Sequence, residues 1–116
     1  MKISIISASH RTNSQSKKIL DVLHNNLSNI ESDLDIYDLD LADKLLPLWS
    51  PDKKKGNGIW GDTWNLISDN LKKSDGFILV VPEYGGMATP AAKNIFLLCG
   101  NGEFVHKPGL IVSVSS

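Results

Sequence analysis

The sequence predicts an α/β fold organised on a parallel sheet, and three observations support it. Two apolar runs, Lys2–Ser7 and Phe77–Val81, are short and rich in β-branched residues, as strands buried on both faces are. Segments at Lys17–Leu27, Ile59–Lys73 and Ala91–Leu98 carry apolar residues at helical spacing. Both runs pass directly into polar turns that lead to helices, the strand–loop–helix order of a βαβ unit. With right-handed crossovers, the chain becomes β-α-β-(loop)-α-β-α-β in a single parallel sheet.

Taken in order, Lys2–Ser7 is the first strand. Lys17–Leu27 is the first helix, with Ile19, Leu20, Leu23 and Leu27 on one face; Asn25-Asn26 and Ser28-Asn29 mark its end. Leu34–Leu39 is the second strand, and its irregular, charged alternation suits a sheet edge. Asp40–Gly58 is a long irregular connection. Its Leu45-Leu46-Pro47-Leu48-Trp49 segment needs an apolar partner, either this domain or another subunit. Lys53–Gly58 reads as a solvated, flexible tip. Ile59–Lys73 is the second helix, where Trp60 and Trp64 share a face and pack into the core. Phe77–Val81 is the central strand and ends abruptly at Pro82. Thr89 caps and Pro90 opens the third helix, Ala91–Leu98. Leu110–Val114 is a last parallel strand.

A chain of 116 residues makes one domain with a real core, and 41% hydrophobic with 22% charged residues is ordinary for a globular protein. A net charge of −1 gives no electrostatic case for nucleic acid or anionic membranes. No apolar stretch reaches transmembrane length, and the N-terminus lacks the pattern of a signal peptide. Cys99 is the only cysteine, which excludes an intramolecular disulfide and points to the reducing cytoplasm. Set in an apolar helix, it reads as a packed small hydrophobe. His10, His24 and His106 show no metal-ligand spacing.

The chemistry concentrates in two turns. Ser7-Ala-Ser-His-Arg-Thr-Asn-Ser-Gln-Ser lies between the end of the first strand and the start of the first helix. Unpaired backbone N–H groups and the helix dipole favour an anion there. Ser9, Thr12, Asn13, Ser14 and Ser16 offer neutral hydrogen bonds, and Arg11 offers charge and a bidentate fork. In the alternative, Asn13 or Ser14 only caps the helix and Arg11 is a solvated side chain. Neither G-x-x-x-x-G-K-[ST] nor G-x-G-x-x-G is present, so a monophosphate fits better than a nucleoside triphosphate or a dinucleotide. In the second turn, Pro82–Pro90, Gly85-Gly86 permits positive φ or close approach by a flat ligand. Both turns fall at the carboxyl edge of the sheet, where such folds bind ligands. Together they suggest a mononucleotide with a flat ring.

These residues resemble the NADPH-dependent FMN reductase family. The first turn resembles its serine–arginine phosphate loop, with Ala8 where a glycine is common. The segment Pro82-Glu83-Tyr84-Gly85-Gly86-Met87-Ala88-Thr89-Pro90-Ala91-Ala92-Lys93-Asn94 resembles the family's P-E-Y-x-G-S-x-S-P-A-L-K-N. Leu46-Pro47-Leu48-Trp49, followed by Pro51-Asp52, resembles its L-P-L-[aromatic] loop. Gly85 replaces a usual Asn or His, Met87 a usual Ser, and Ala92 a usual Leu.

The resemblance implies a flavodoxin-like three-layer sandwich with four of the usual five strands, residues 1–116 being one domain truncated at its C-terminus. It implies FMN as cofactor, NADPH or NADH as reductant, and a quinone, azo, metal-ion or flavin acceptor. Ser9, Arg11, Thr12, Ser14 and Ser16 would hold the phosphate; Pro82, Glu83, Tyr84, Gly85 and Gly86 would line the ring. No side-chain acid or base and no metal is implied, while Lys93 and Asn94 would be structural or at a subunit contact. The partners implied are a small-molecule acceptor and further copies of the chain, as a dimer or tetramer. Two other classes compete with the enzyme. A flavodoxin-type carrier would bind flavin without pyridine-nucleotide turnover, but such carriers are usually strongly acidic and lack the loop arginine. A non-catalytic remnant would keep the fold and bind no flavin.

Overall fold

The computed structural model describes residues 1–44 and 46–115. Its strands are β1 (Lys2–Ser7), β2 (Asp35–Asp40), β3 (Gly76–Tyr84), β4 (Met87–Ala88) and β5 (Gly109–Val114); its α-helices are α1 (Gln15–Ile30), α2 (Asn65–Lys73) and α3 (Pro90–Leu98). β1, β2, β3 and β5 are parallel in the order β2-β1-β3-β5, and β4 folds back antiparallel on the end of β3. The fold is α/β and flavodoxin-like, with β2 at an edge and β3 central as the sequence predicts.

The sheet separates two apolar layers. On one face, Leu20 of α1 packs with Ile5 and Val80, and Ile19, Leu23 and Leu27 extend the contact. On the other, Ile67 and Leu71 of α2 and Ile95 and Leu98 of α3 close over Ile6, Phe77 and Leu79. Trp60 and Trp64 are buried in this second layer.

Besides one-residue shifts at the ends of β2, α3 and β5, four features depart from the sequence expectation. First, α1 runs from Gln15 to Ile30 rather than from Lys17 to Leu27. Ser14 caps it by accepting the Lys17 N–H at 3.0 Å, and the asparagines that were to end it are exposed. Packing of Leu23 and Leu27 against the sheet outweighs their weak propensity. Second, β3 continues through Pro82. Phe77 N–H donates toward β5, to Pro108 C=O, so by alternation residue 82 faces the β1 side, past the last β1 pair, Ser7 with Val80. The missing proline N–H therefore breaks no ladder bond.

Third, the second helix opens with a π turn, Trp60–Trp64, in which Asn65 N–H donates to Trp60 C=O. A β-carbon at Gly61 would lie 2.4 Å from the Gly56 carbonyl oxygen, so the turn packs against the preceding loop as only glycine allows. Fourth, the lysine-rich tip is ordered into a 3-10 turn, Pro51–Lys55, with Lys55 Nζ 2.8 Å from Asp52. In the preceding loop Leu46 packs on the core, while Leu48 and Trp49 remain exposed; Leu45 lies outside the described residues. Among the described residues, no helix is long and apolar enough to cross a membrane.

Candidate functional site

The chain leaves β1 toward β2 on one side and reaches β3 on the other, so the sheet order reverses between β1 and β3. At such a switch point the two outgoing loops part and leave a crevice at the carboxyl edge. The residues after β1 and those ending β3 meet here. A cleft of about 230 Å³ is lined by Ser9, Arg11, Ser14, Gln15 and Ser16 from the first loop and helix, Pro82, Glu83 and Tyr84 from β3, and Val114 and Ser115 after β5.

The floor of the cleft is the N-terminus of α1. Ser14 caps the helix, taking the Lys17 N–H on its side chain and the Lys18 N–H on its carbonyl. The N–H groups of Gln15 and Ser16 find no acceptor among the described residues. Ser16 is buried, and its hydroxyl oxygen has no hydrogen-bond partner among the described residues. Leaving such a group unpaired costs about 1–3 kcal/mol, which a bound acceptor would recover. Asn13 turns the loop with φ of 52°, a left-handed conformation that asparagine tolerates. Arg11 is exposed at the rim, and its backbone N–H is tied to Ser9 Oγ at 3.1 Å. Two helix N–H groups and a buried hydroxyl without partners among the described residues, with one guanidinium, form a donor set chemically suited to an anion.

The wall opposite is the β3–β4 hairpin. Tyr84 pairs with Met87, and Gly85 and Gly86 have φ of 61° and 78°, the two positive values of a type I′ turn. Glu83 is exposed and its carboxylate accepts the Gly86 N–H across the turn. Tyr84 joins the two motifs: its hydroxyl lies 3.2 Å from Ser9 Oγ and accepts the His10 N–H at 3.3 Å. The fold also perturbs Asp40, the last residue of β2. Burial pushes its carboxyl above the usual range, with Asp43 and Asp21 adding to the effect against an Ala42 N–H bond and Lys17. Cys99 caps α3 away from the cleft, and burial pushes its thiol far above the ordinary range.

Comparison with known proteins fits this architecture. The family model described as NADPH-dependent FMN reductase matches residues 1–116. The chain belongs to that family. No curated protein matches it. Solved structures share the fold. An NADH:FMN oxidoreductase in its apo form is 19% identical with a TM-score of 0.77, over 98% of this chain and 58% of that one. The flavoenzyme NAD(P)H:(acceptor) oxidoreductase of Paracoccus denitrificans is 22% identical with a TM-score of 0.71, over 97% and 59%. An azoreductase from Bacillus anthracis str. Sterne is 12% identical with a TM-score of 0.72, over 99% and 69%. The chain thus spans about six tenths of the first two.

Of the ten residues that the FMN reductase resemblance nominates, seven line this cleft: Ser9, Arg11, Ser14, Ser16, Pro82, Glu83 and Tyr84. Gly86 lines an adjoining groove with Met87, Ala88 and Ile111, while Thr12 and Gly85 line neither. Gln15, Val114 and Ser115 are additional. Gln15 could have been found as the first residue after the cap; Val114 and Ser115 enter only because β5 lies beside β3. Asn94 is structural: its Oδ1 accepts the Trp49 N–H at 2.8 Å and its Nδ2 donates to Pro47 C=O at 3.0 Å.

Proposed function

We propose that this chain binds FMN in the β1/β3 crevice and acts as an NAD(P)H-dependent oxidoreductase toward a quinone, azo, metal-ion or flavin acceptor. One observation supports it above the others: the buried Ser16 hydroxyl, without a partner among the described residues, belongs to a residue that lines the cleft together with Arg11 and Gln15. In this reading Arg11, Ser9, Ser14, Ser16 and the backbone of Gln15 hold the phosphate, with Thr12 at the outer rim. Pro82, Glu83, Tyr84 and the Gly85-Gly86 turn border the ring. Bound FMN would supply the hydride chemistry, taking two electrons from NADPH or NADH and passing them to the acceptor. The chain's own residues bind and orient; none is required to move a proton.

The surface beside β5 bears on the extent of the unit. Phe96, Leu110 and Ile111 are 54%, 56% and 65% exposed, and the groove under Phe96 runs on to Pro82 and Gly86. In this reading residues 1–116 belong to one flavodoxin-like domain, and further polypeptide covers its β5 side in the working enzyme. Assembly with further copies of the chain, as a dimer or tetramer, belongs to the same proposal.

FMN titration followed by visible absorption, with equilibrium dialysis as the check, tests the site. A protein-bound flavin spectrum is expected, and Arg11→Ala should weaken binding about tenfold through loss of a charged hydrogen bond. Absence of binding at high FMN concentration, or equal affinity in the variant, sinks the assignment. Oxidation of NADPH or NADH by the flavin-loaded chain, with a quinone or azo dye as acceptor, then tests the reaction.

A further inference from the structure

His10 is exposed, yet its ring is engaged. Nε2 accepts the Ala91 N–H at 2.9 Å, and the ring centre lies 5.9 Å from that of Tyr84. Thr89 makes the neighbouring tie: its Oγ1 donates to Ala8 C=O at 2.6 Å and accepts the Ala92 N–H at 3.1 Å. Pro90 has no N–H. The start of α3 is therefore tied twice to the loop that carries Arg11, by the Ala91 N–H to His10 and by the Thr89 hydroxyl to Ala8 C=O, while the Ala92 N–H goes to the helix's own cap. An acceptor at Nε2 assigns the ring proton to Nδ1.

We propose that neutral His10 is a positioning residue that docks the anion-binding loop onto α3, keeping Arg11 beside the N-terminus of α1, and that protonation of His10 releases the loop. The ligand in this proposal rests on the FMN reading above. An imidazolium donates from both nitrogens, so it cannot accept the Ala91 N–H, and its charge would sit at the positive end of α3. The titratable and charged groups on the elements meeting there are Tyr84 and Glu83 on β3, Lys93 on α3 and Arg11 in the loop. The first turn of α3 has no acidic residue, and the Glu83 carboxylate holds the Gly86 N–H. Among the described residues no carboxylate lies within ion-pair distance of His10.

The latch is read first without flavin, by NMR of the His10 ring nitrogens and the Ala91 and Ala92 amides near neutral pH. The Nδ1–H tautomer is expected. His10→Ala should move the Ala91 amide and spare that of Ala92, whereas His10→Gln, whose amide oxygen reaches the same N–H, should keep both. FMN affinity should fall about fivefold in His10→Ala, the effect of one hydrogen bond, and return to within about twofold in His10→Gln. On acidification, wild type should lose several-fold more affinity than His10→Gln, in which the FMN phosphate can still be protonated but residue 10 cannot. Equal affinities in all three proteins, or parallel pH profiles, overturn the proposal. If FMN binds none of them, the ligand assignment fails, and the Ala91 amide and His10 tautomer still decide whether the latch exists.

Discussion

Replacing Gly85 tests whether the hairpin bordering the crevice is held by backbone conformation alone. The residue has φ of 61°, and a β-carbon built there meets nothing within 4 Å. Gly85→Ala therefore introduces no clash; its cost is the left-handed conformation. That cost is about 1–2 kcal/mol for an ordinary L residue, partly offset by about 0.4–1 kcal/mol from a less flexible unfolded chain. The net loss is about 1 kcal/mol, a fall in Tm of about 4 °C for a domain of this size. Gly85→Asn should behave differently, because asparagine is favoured at the first central position of a type I′ turn. It should leave Tm unchanged or raise it slightly. Differential scanning calorimetry on the three proteins gives the comparison at once. If asparagine destabilises as much as alanine, φ at this position is not what the substitution perturbs, and the account of the hairpin is wrong.

Other parts of the fold yield equally direct tests. Asn94→Ala should lower stability by about 1–2 kcal/mol in a urea titration, since two polar partners lose their bonds, and should open residues 46–50 to protease; unchanged cleavage would show that the loop is held otherwise. Asp40→Asn should raise Tm near neutral pH. The raised carboxyl of Asp40 contributes stability that is full below its unfolded value and lost as pH rises through the folded one. The gain should therefore vanish on acidification below the usual carboxylate range; a gain that persists there would refute the burial argument. Cys99, buried with its thiol pushed up, should react with a thiol reagent at neutral pH only after urea is added. Rapid labelling of the native chain would contradict its placement.

Much of this architecture was legible because the signals were local. Lys2–Ser7 has the same bounds in sequence and structure, and Thr89 with Pro90 marks the start of α3 as capping chemistry predicts. The losses are equally specific. Gly85-Gly86 is a strong hairpin signal, but Pro82 on one side and only Met87-Ala88 on the other leave no alternating strand to flag β4. The π turn depends on Gly61 meeting the Gly56 carbonyl, a contact with no sequence pattern of its own. At the site, phosphate-loop residues could be nominated from their type and order. The bonds that set their positions could not, because Tyr84 and Ala91 lie 74 and 81 residues from His10.

The same consideration decides which helix end can receive an anion. Both α1 and α3 begin at the carboxyl edge of the sheet, and both have a hydroxyl cap, Ser14 and Thr89. In the sequence the serine–arginine turn before α1 is already the better candidate, and the fold adds the reason. In the fold, Pro90 lacks a donor and the next two N–H groups of α3 are taken by His10 and Thr89. At α1 the Gln15 and Ser16 N–H groups and the Ser16 hydroxyl have no partner among the described residues. An anion entering the crevice thus finds donors on one helix only. The other serves to hold the loop in place, which is why the two motifs, far apart in the chain, have to be read as one site.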